Sequence, residues 1–346
     1  MTSLEKTLAR FDYRFPPELI AQAPASPRDS ARLLVHRRRG GGESFVRFRD
    51  LPEFLPPGAV LVFNQTKVIP ARLELRKETG GKVLVLYVAT GRDGRIKVMA
   101  DRRLEVGRRL SLDGRHQFLI AGHEEKFYFL KPLFPPARFD ALLDRHGRAP
   151  LPPYIKRSPL TESQIKEQYQ AVFARRRGSV AAPTASLHFT AGLLRRLKAR
   201  GFDVRFVTLH VNLGTFAPLT EENLRTGRLH EERYEIDPAT AKFLNAAKTA
   251  GRPIVAVGTT VVRTLESAID ARGRLRRLSG TTDLFIRGRR RFRFVDGLIT
   301  NFHVPRSSLM MLVAAFAGRA ELLRLYDLAI KKRFRLFSFG DGMLII

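Results

Sequence analysis

The 346-residue chain contains no cysteine and no tryptophan, and only 33 acidic residues stand against 62 lysines and arginines. The missing cysteine excludes disulfides and thiolate metal sites, and makes a reducing cytoplasm the expected compartment. Long hydrophobic runs are missing too. The longest, at 309–317, falls well short of the ~20 residues that cross a bilayer and has the length of a buried helix. Residues 1–15 mix charged and apolar types, without the basic-then-apolar order of a secretory leader. No membrane association is expected.

The shortage of acidic groups leaves a net charge of +29. The excess is spread over patches at 37–39, 102–103, 175–177, 287–293 and 331–333. Such a distribution suits a long polyanion backbone. Arginine far outnumbers lysine, as it does under a biased base composition, and part of the excess simply solvates the surface. The charge still exceeds what solubility asks for, which points to a nucleic-acid partner.

The hydrophobic content of 44% is enough for a sizeable core, and the length suggests two domains. A short helix at 17–22 and a hairpin of 31–36 with 44–48 precede an unbroken apolar strand at 59–63, which ends at Asn64-Gln65-Thr66-Lys67. From 72 to 130 the texture changes to short alternating strands at 82–89, 95–99, 108–112, 115–120 and 126–130. Gly and Asp-Gly turns separate them and no helical period appears, which predicts a small antiparallel barrel or sandwich that either holds RNA or braces the core. The linker Ala149-Pro150-Leu151-Pro152-Pro153-Tyr154 leads back. Beyond it, predicted helices at 161–173, 191–200, 238–250, 259–271 and 321–333 alternate with strands at 204–211, 254–257, 283–286 and 291–295. The expectation is a main α/β domain formed by 1–70 and 150–346, interrupted by a small antiparallel β-barrel at 71–149.

Three histidines share a setting: Leu187-His188-Phe189, Leu209-His210-Val211 and Phe302-His303-Val304. One histidine in an apolar run is usually structural; three near the ends of core strands suggest a shared cleft. They can bind zinc as a His₃ site or act as acid, base and hydrogen-bond donors without metal. No His-x-His or His-Glu-x-x-His spacing favours the metal. In an extended segment Asn301 and His303 emerge on one face. Pro305 ends that segment and Ser307 or Ser308 caps the following helix.

Other segments carry polar groups to strand ends. Val257-Gly258-Thr259-Thr260 reads as a strand, a glycine turn and a helix start that aims backbone N–H groups at an anion, with Arg263 one turn further on. A capped core helix is the plain alternative. Gly214 and Thr215 follow His210 where backbone can approach a flat ligand. Thr184 and His188 flank a proline turn, Glu231 and Glu232 sit beside His230, and Asp341 occupies a Gly-Asp-Gly turn. Solvated charge explains those glutamates equally well.

Taken in order, these residues resemble the S-adenosylmethionine:tRNA ribosyltransferase-isomerase family of queuosine biosynthesis nearly end to end. The likeness rests on Phe11-Asp12-Tyr13, Phe63-Asn64, Ile69-Pro70-Ala71-Arg72-Leu73, Leu151-Pro152-Pro153-Tyr154-Ile155 and Ala181-Ala182-Pro183-Thr184. It continues through Leu187-His188-Phe189, Thr208-Leu209-His210-Val211, Gly258-Thr259-Thr260, Arg263-Thr264-Leu265-Glu266-Ser267, Thr300-Asn301-Phe302-His303 and Gly340-Asp341. The resemblance implies an α/β domain interrupted by a β-barrel. It also implies an enzyme that moves the ribosyl part of S-adenosylmethionine onto 7-aminomethyl-7-deazaguanine at the tRNA wobble position and isomerises it, leaving epoxyqueuosine-tRNA, adenine and methionine.

On this reading the expected catalytic residues are His188, His210, His303, Asn301, Glu232 and Asp341. The expected substrate-binding residues are Asn64, Arg72, Thr184, Gly214, Thr215, Gly258, Thr259, Thr260 and Arg263, with Arg72 directed to tRNA. S-adenosylmethionine is consumed as a substrate, no metal or cofactor is expected, and the chain is expected to act as a cytoplasmic monomer. Three departures stand out: Asn212-Leu213 and Ser186 replace the family's usual small residues, and Gly342 stands where alanine is usual. They keep open a diverged paralogue acting on another nucleoside or RNA, beside a His₃ metallohydrolase and a noncatalytic RNA-binding protein.

Overall fold

The computed structural model describes residues 2–212, 218–288 and 290–346. Its strands are β1 (Arg32–Arg37), β2 (Gly41–Arg47), β3 (Val60–Asn64), β4 (Thr66–Val68), β5 (Arg72–Lys77), β6 (Lys82–Thr90), β7 (Ile96–Ala100), β8 (Arg109–Ser111) and β9 (Gln117–Glu124). They continue with β10 (Phe127–Pro132), β11 (Arg176–Ser179), β12 (Asp203–Leu209), β13 (Arg228–Glu235), β14 (Ile254–Val257), β15 (Ser279–Leu284), β16 (Gly297–Asn301) and β17 (Gly342–Ile345).

The large sheet runs in the order β15-β13-β12-β3-β14-β16-β17-β1-β2. Its centre, β12-β3-β14-β16, is parallel throughout, so four carboxyl ends meet at one edge. β17 lies antiparallel to β16, with Gly342 opposite Asn301. That reversal brings Asp341 to the same edge. β3 and β14 are apolar without interruption up to Asn64 and buried along their whole lengths, because both faces are covered. Val60 and Val62 of β3 pack into one core with Val261 and Leu265 of the helix Thr259–Ala268. Leu61 and Phe63, on the other face, pack with Phe189 and Leu193.

Between β4 and the linker, β10-β7-β6-β5-β8-β9 close into an antiparallel barrel, the alternating texture predicting its strands. Leu73, Leu75, Val83, Val85, Ile96 and Val98 point inward. Several segments depart from the sequence expectation: the helix predicted at 17–22 is a single 3₁₀ turn, Pro17–Leu19, the helix at 259–271 ends at Ala268, and the strand at 283–286 lies at Ser279–Leu284. The helix predicted over 161–173 spans only Glu162–Gln168, capped by Thr161. β13 is a strand although its Arg-Leu-His-Glu-Glu-Arg-Tyr-Glu sequence has no apolar alternation; it lies near the sheet edge, pairing with β12 at only two positions. No strand forms over 291–295, because the N–H groups of Arg293, Phe294 and Val295 donate to the carboxylate of Glu266 instead of to a neighbouring strand. Among the described residues, no helix is long and apolar enough to cross a membrane.

Candidate active site

A cavity of about 410 Å³ opens at the carboxyl edge of the parallel strands. Gly258, Thr259 and Thr260 line it from the turn after β14, Asn301 and His303 from the end of β16, and Thr184 from the 3₁₀ segment Thr184–His188. Gly258 has φ +97°, which only glycine adopts without strain, and its N–H donates to the Ile299 carbonyl at 2.8 Å. This bond ties β14 to β16. The helix Thr259–Ala268 therefore presents its first turn, with two threonine hydroxyls and the positive end of its dipole, to the cavity.

His303 is held at both ends of its peptide unit. Tyr13 Oη donates to its carbonyl at 2.5 Å, and its N–H donates to Tyr326 Oη at 2.8 Å. The Tyr13 and Tyr326 rings meet edge to face at 4.8 Å. Thr300 Oγ1 lies 3.3 Å from His303 Nε2, while Nδ1 has no hydrogen-bond partner among the described residues. Burial pushes the imidazole pKa down to about 4, so His303 is neutral near neutral pH. Asn301 Nδ2 donates to the Phe337 carbonyl at 3.0 Å, and its Oδ1 likewise has no partner among the described residues.

The other histidines sit outside the cavity lining. His188 stacks on Phe48 at 4.5 Å. Burial and then the Arg335 charge push it down to about 3, with Asn301 partly offsetting them, although no well-formed hydrogen bond joins the two side chains. His210, half-buried after β12, places Nδ1 2.9 Å from Thr66 Oγ1 and has its pKa lowered by burial and Arg233. None of the three belongs to a cluster of potential metal ligands among the described residues. The one cluster found there, His36 with Glu43 and Glu321, already has both carboxylates bound by Arg324. The three histidines thus do not gather as the His₃ alternative requires.

Several predicted site residues build the walls from behind. Glu232 and Arg263, predicted separately, form a buried ion pair, and Arg263 also donates to the carbonyls of Leu284 and Thr282 at 3.2 and 3.3 Å. Its guanidinium is thus engaged inside the protein, away from the cavity lining. Asn64 Oδ1 accepts the N–H groups of Thr66 and Leu209 at 3.1 Å each, and Nδ2 donates to the Leu209 carbonyl at 2.9 Å. Asp341 accepts the N–H groups of Arg32 at 3.0 Å and Arg335 at 2.8 Å. Arg72 donates to the Leu151 carbonyl at 3.0 Å, joining the barrel to the linker. Gly214 and Thr215 lie outside the described residues.

The sequence reading assigned no role to Tyr13 or Tyr326 at His303, nor to the pair Tyr154 and Ser338, whose hydroxyls meet at 2.7 Å on the cavity wall. Partners so far apart in the chain leave no spacing signal. The Phe11-Asp12-Tyr13 and Leu151-Pro152-Pro153-Tyr154-Ile155 blocks contain Tyr13 and Tyr154 but give neither a partner.

A mixed α/β sheet interrupted by a closed barrel, with a cavity over its parallel strand ends, places the chain among open-sheet α/β proteins whose carboxyl strand edge is where ligand sites occur. More particularly, the chain belongs to the family of queuosine biosynthesis proteins, whose sequence profile matches residues 8–345. It is 46% identical to the S-adenosylmethionine:tRNA ribosyltransferase-isomerase of Moorella thermoacetica, over 98% of this chain and 99% of that one. With the protein of the same name from Anaeromyxobacter dehalogenans it shares 47% identity at the same coverage. The crystal structure of the S-adenosylmethionine tRNA ribosyltransferase of Thermotoga maritima, 35% identical, matches 97% of this chain and 100% of that chain with a TM-score of 0.56.

Proposed function

We propose that this protein is an S-adenosylmethionine:tRNA ribosyltransferase-isomerase of queuosine biosynthesis and that S-adenosylmethionine occupies the 410 Å³ cavity. The observation that carries this reading is the 46% identity, running almost end to end, with a protein of that name. The transferred group is the ribosyl part of the sulfonium substrate. Its acceptor is the aminomethyl group of a 7-aminomethyl-7-deazaguanine at the tRNA wobble position, and adenine and methionine leave.

The chemistry asks for a base at the ribose C5′, whose hydrogens the sulfonium acidifies, and for a proton donor to departing adenine. His303 is the candidate for proton transfer: it lines the cavity, is neutral near neutral pH, and keeps a ring nitrogen without a hydrogen-bond partner among the described residues. Thr259, Thr260, Thr184 and Asn301 supply hydroxyl and amide contacts around the nucleoside. His188 and Asp341 act through the elements they brace, and His210 through the strand end it shares with Thr66. No metal or cofactor is assigned a step.

Two of the departures noted in the sequence, Gly342 and Asn212, have local packing counterparts. A Cβ at Gly342 would meet the Phe48 ring at 3.0 Å, so the ring that stacks on His188 fills the space a methyl would take. Asn212 turns to β13, its N–H donating to Glu232 and its amide to the Glu231 carbonyl, and does not line the cavity. Both counterparts favour the family reaction over an altered substrate. Leu213 lies outside the described residues.

Incubation with S-adenosylmethionine and tRNA carrying the aminomethyl-deazaguanine should release adenine and yield an epoxyqueuosine nucleoside on digestion. Salt-sensitive tRNA binding without adenine would sink the catalytic reading.

A further inference from the structure

We propose that the outer face of the barrel, where β7 and β10 pair, is a stacking platform for unpaired bases of the tRNA substrate. The inference rests on the tRNA reading above and concerns where the RNA lies. Along β10, Tyr128 and Leu130 belong to the barrel core, whereas Phe127 and Phe129 point outward, remain partly exposed and are in none of the hydrophobic clusters. Two outward phenylalanines on one strand lack an internal packing explanation.

Their neighbours are cations. Lys97 Nζ lies 4.1 Å from the Phe127 ring centroid and 5.7 Å from that of Phe129; Lys126 Nζ is 5.4 Å from Phe127, and the Arg95 guanidinium 5.6 Å from Phe129. Opposite Phe129 in the register stand Lys97 on β7 and Gly122 on β9. A Cβ at Gly122 would approach the ring only to 3.8 Å, ordinary contact, so the glycine is not sterically required and leaves that flank of the ring uncovered.

Aromatic faces interleaved with flexible cations are what single-stranded nucleic acid uses: bases stack on the rings while the ammonium groups move to phosphates. In the free protein the lysine stems cover the rings and limit the exposed apolar area. An RNA loop fits these features better than a lipid surface, because Lys97, Lys126 and Arg95 lie at the two rings and break up the apolar patch.

The chain has seven tyrosines and no tryptophan, so Phe127→Trp places a single tryptophan on the platform, whose emission is excited selectively beyond the tyrosine absorption band. Titration with the precursor tRNA should quench its emission saturably, in step with tRNA retention measured on filters, while heparin, a polyanion without bases, should bind and leave the emission unchanged. Equal quenching by heparin or by phosphatidylglycerol vesicles, or full tRNA retention with unaltered emission, would overturn the platform while leaving the tRNA reading intact. Absence of tRNA retention in the unsubstituted protein overturns both. As a second arm, Phe127→Ala combined with Phe129→Ala should weaken tRNA binding about tenfold or more, raising KM for tRNA while KM for S-adenosylmethionine and the melting temperature stay as they were. Unchanged KM for tRNA in that folded variant also removes the platform.

Discussion

Arg263 and Glu232 form an ion pair with side chains only 7% and 1% exposed. The pair connects the helix that opens onto the cavity with β13. Arg263→Met would remove the guanidinium that pairs with the buried Glu232 carboxylate and donates to the Leu284 and Thr282 carbonyls, and losing one partner of a buried ion pair costs about 3–5 kcal/mol in comparable cases. Urea unfolding should report a loss of that size, with affinity for S-adenosylmethionine little changed in the folded fraction. A stable variant with weak substrate binding would return Arg263 to the list of ligand contacts.

His303→Ala should lower kcat by about a hundredfold or more, the usual scale for a removed acid–base group, with tRNA binding unaltered. Tyr13→Phe tests its support. Removing the hydroxyl that donates to the His303 carbonyl should reduce stability by about 1 kcal/mol and lower kcat more than it raises either KM.

Acid should destabilise the fold through its buried imidazoles. The pKa values of His303 and His188 are pushed from 6.5 to about 4 and about 3. Between those values and 6.5 the unfolded chain binds more protons than the native one, so stability falls as pH drops below 6.5 and levels off only beneath the native values. Melting temperatures across this range should fall steadily with pH, and His188→Phe should flatten part of the slope. A slope unaffected by either histidine's removal would contradict the burial argument.

Gly178 has φ +142°, and a Cβ there would meet the His210 ring at 3.0 Å. Gly178→Ala should therefore destabilise by about 1–3 kcal/mol and displace His210 from Thr66. A shifted His210 imidazole resonance, read by NMR titration, would report that displacement; an unshifted one argues against the contact.

Prolonged treatment with a strong chelator should leave adenine release unchanged, and elemental analysis should find no stoichiometric zinc. Loss of activity restored by zinc would revive metal chemistry.

Much of the architecture was legible locally. Unbroken apolar runs marked β3 and β14, Gly and Asp-Gly turns marked the barrel strands, and the Ser307-Ser308 pair marked the start of the helix Ser308–Ala317, of which Ser307 is the cap. β13 escaped because the lone apolar–polar alternation that reveals a strand is absent from a charged segment near an edge. The expected strand over 291–295 failed for the opposite reason: Phe294 and Val295 are buried, but a glutamate carboxylate takes the place of a partner strand.

Composition and order alone determined that this is a basic, cysteine-free α/β chain with a β insertion, because burial periodicity and turn chemistry are local properties of sequence. Tertiary structure decided which polar residues share the cavity. Thr184, Gly258, Thr259, Thr260, Asn301 and His303 meet there, while Glu232 and Arg263 neutralise each other and Asp341 and Asn64 satisfy backbone groups. Strand order sets those partnerships across separations of tens to hundreds of residues, and no local pattern encodes which buried polar group will find its match inside the protein and which will be left facing a ligand.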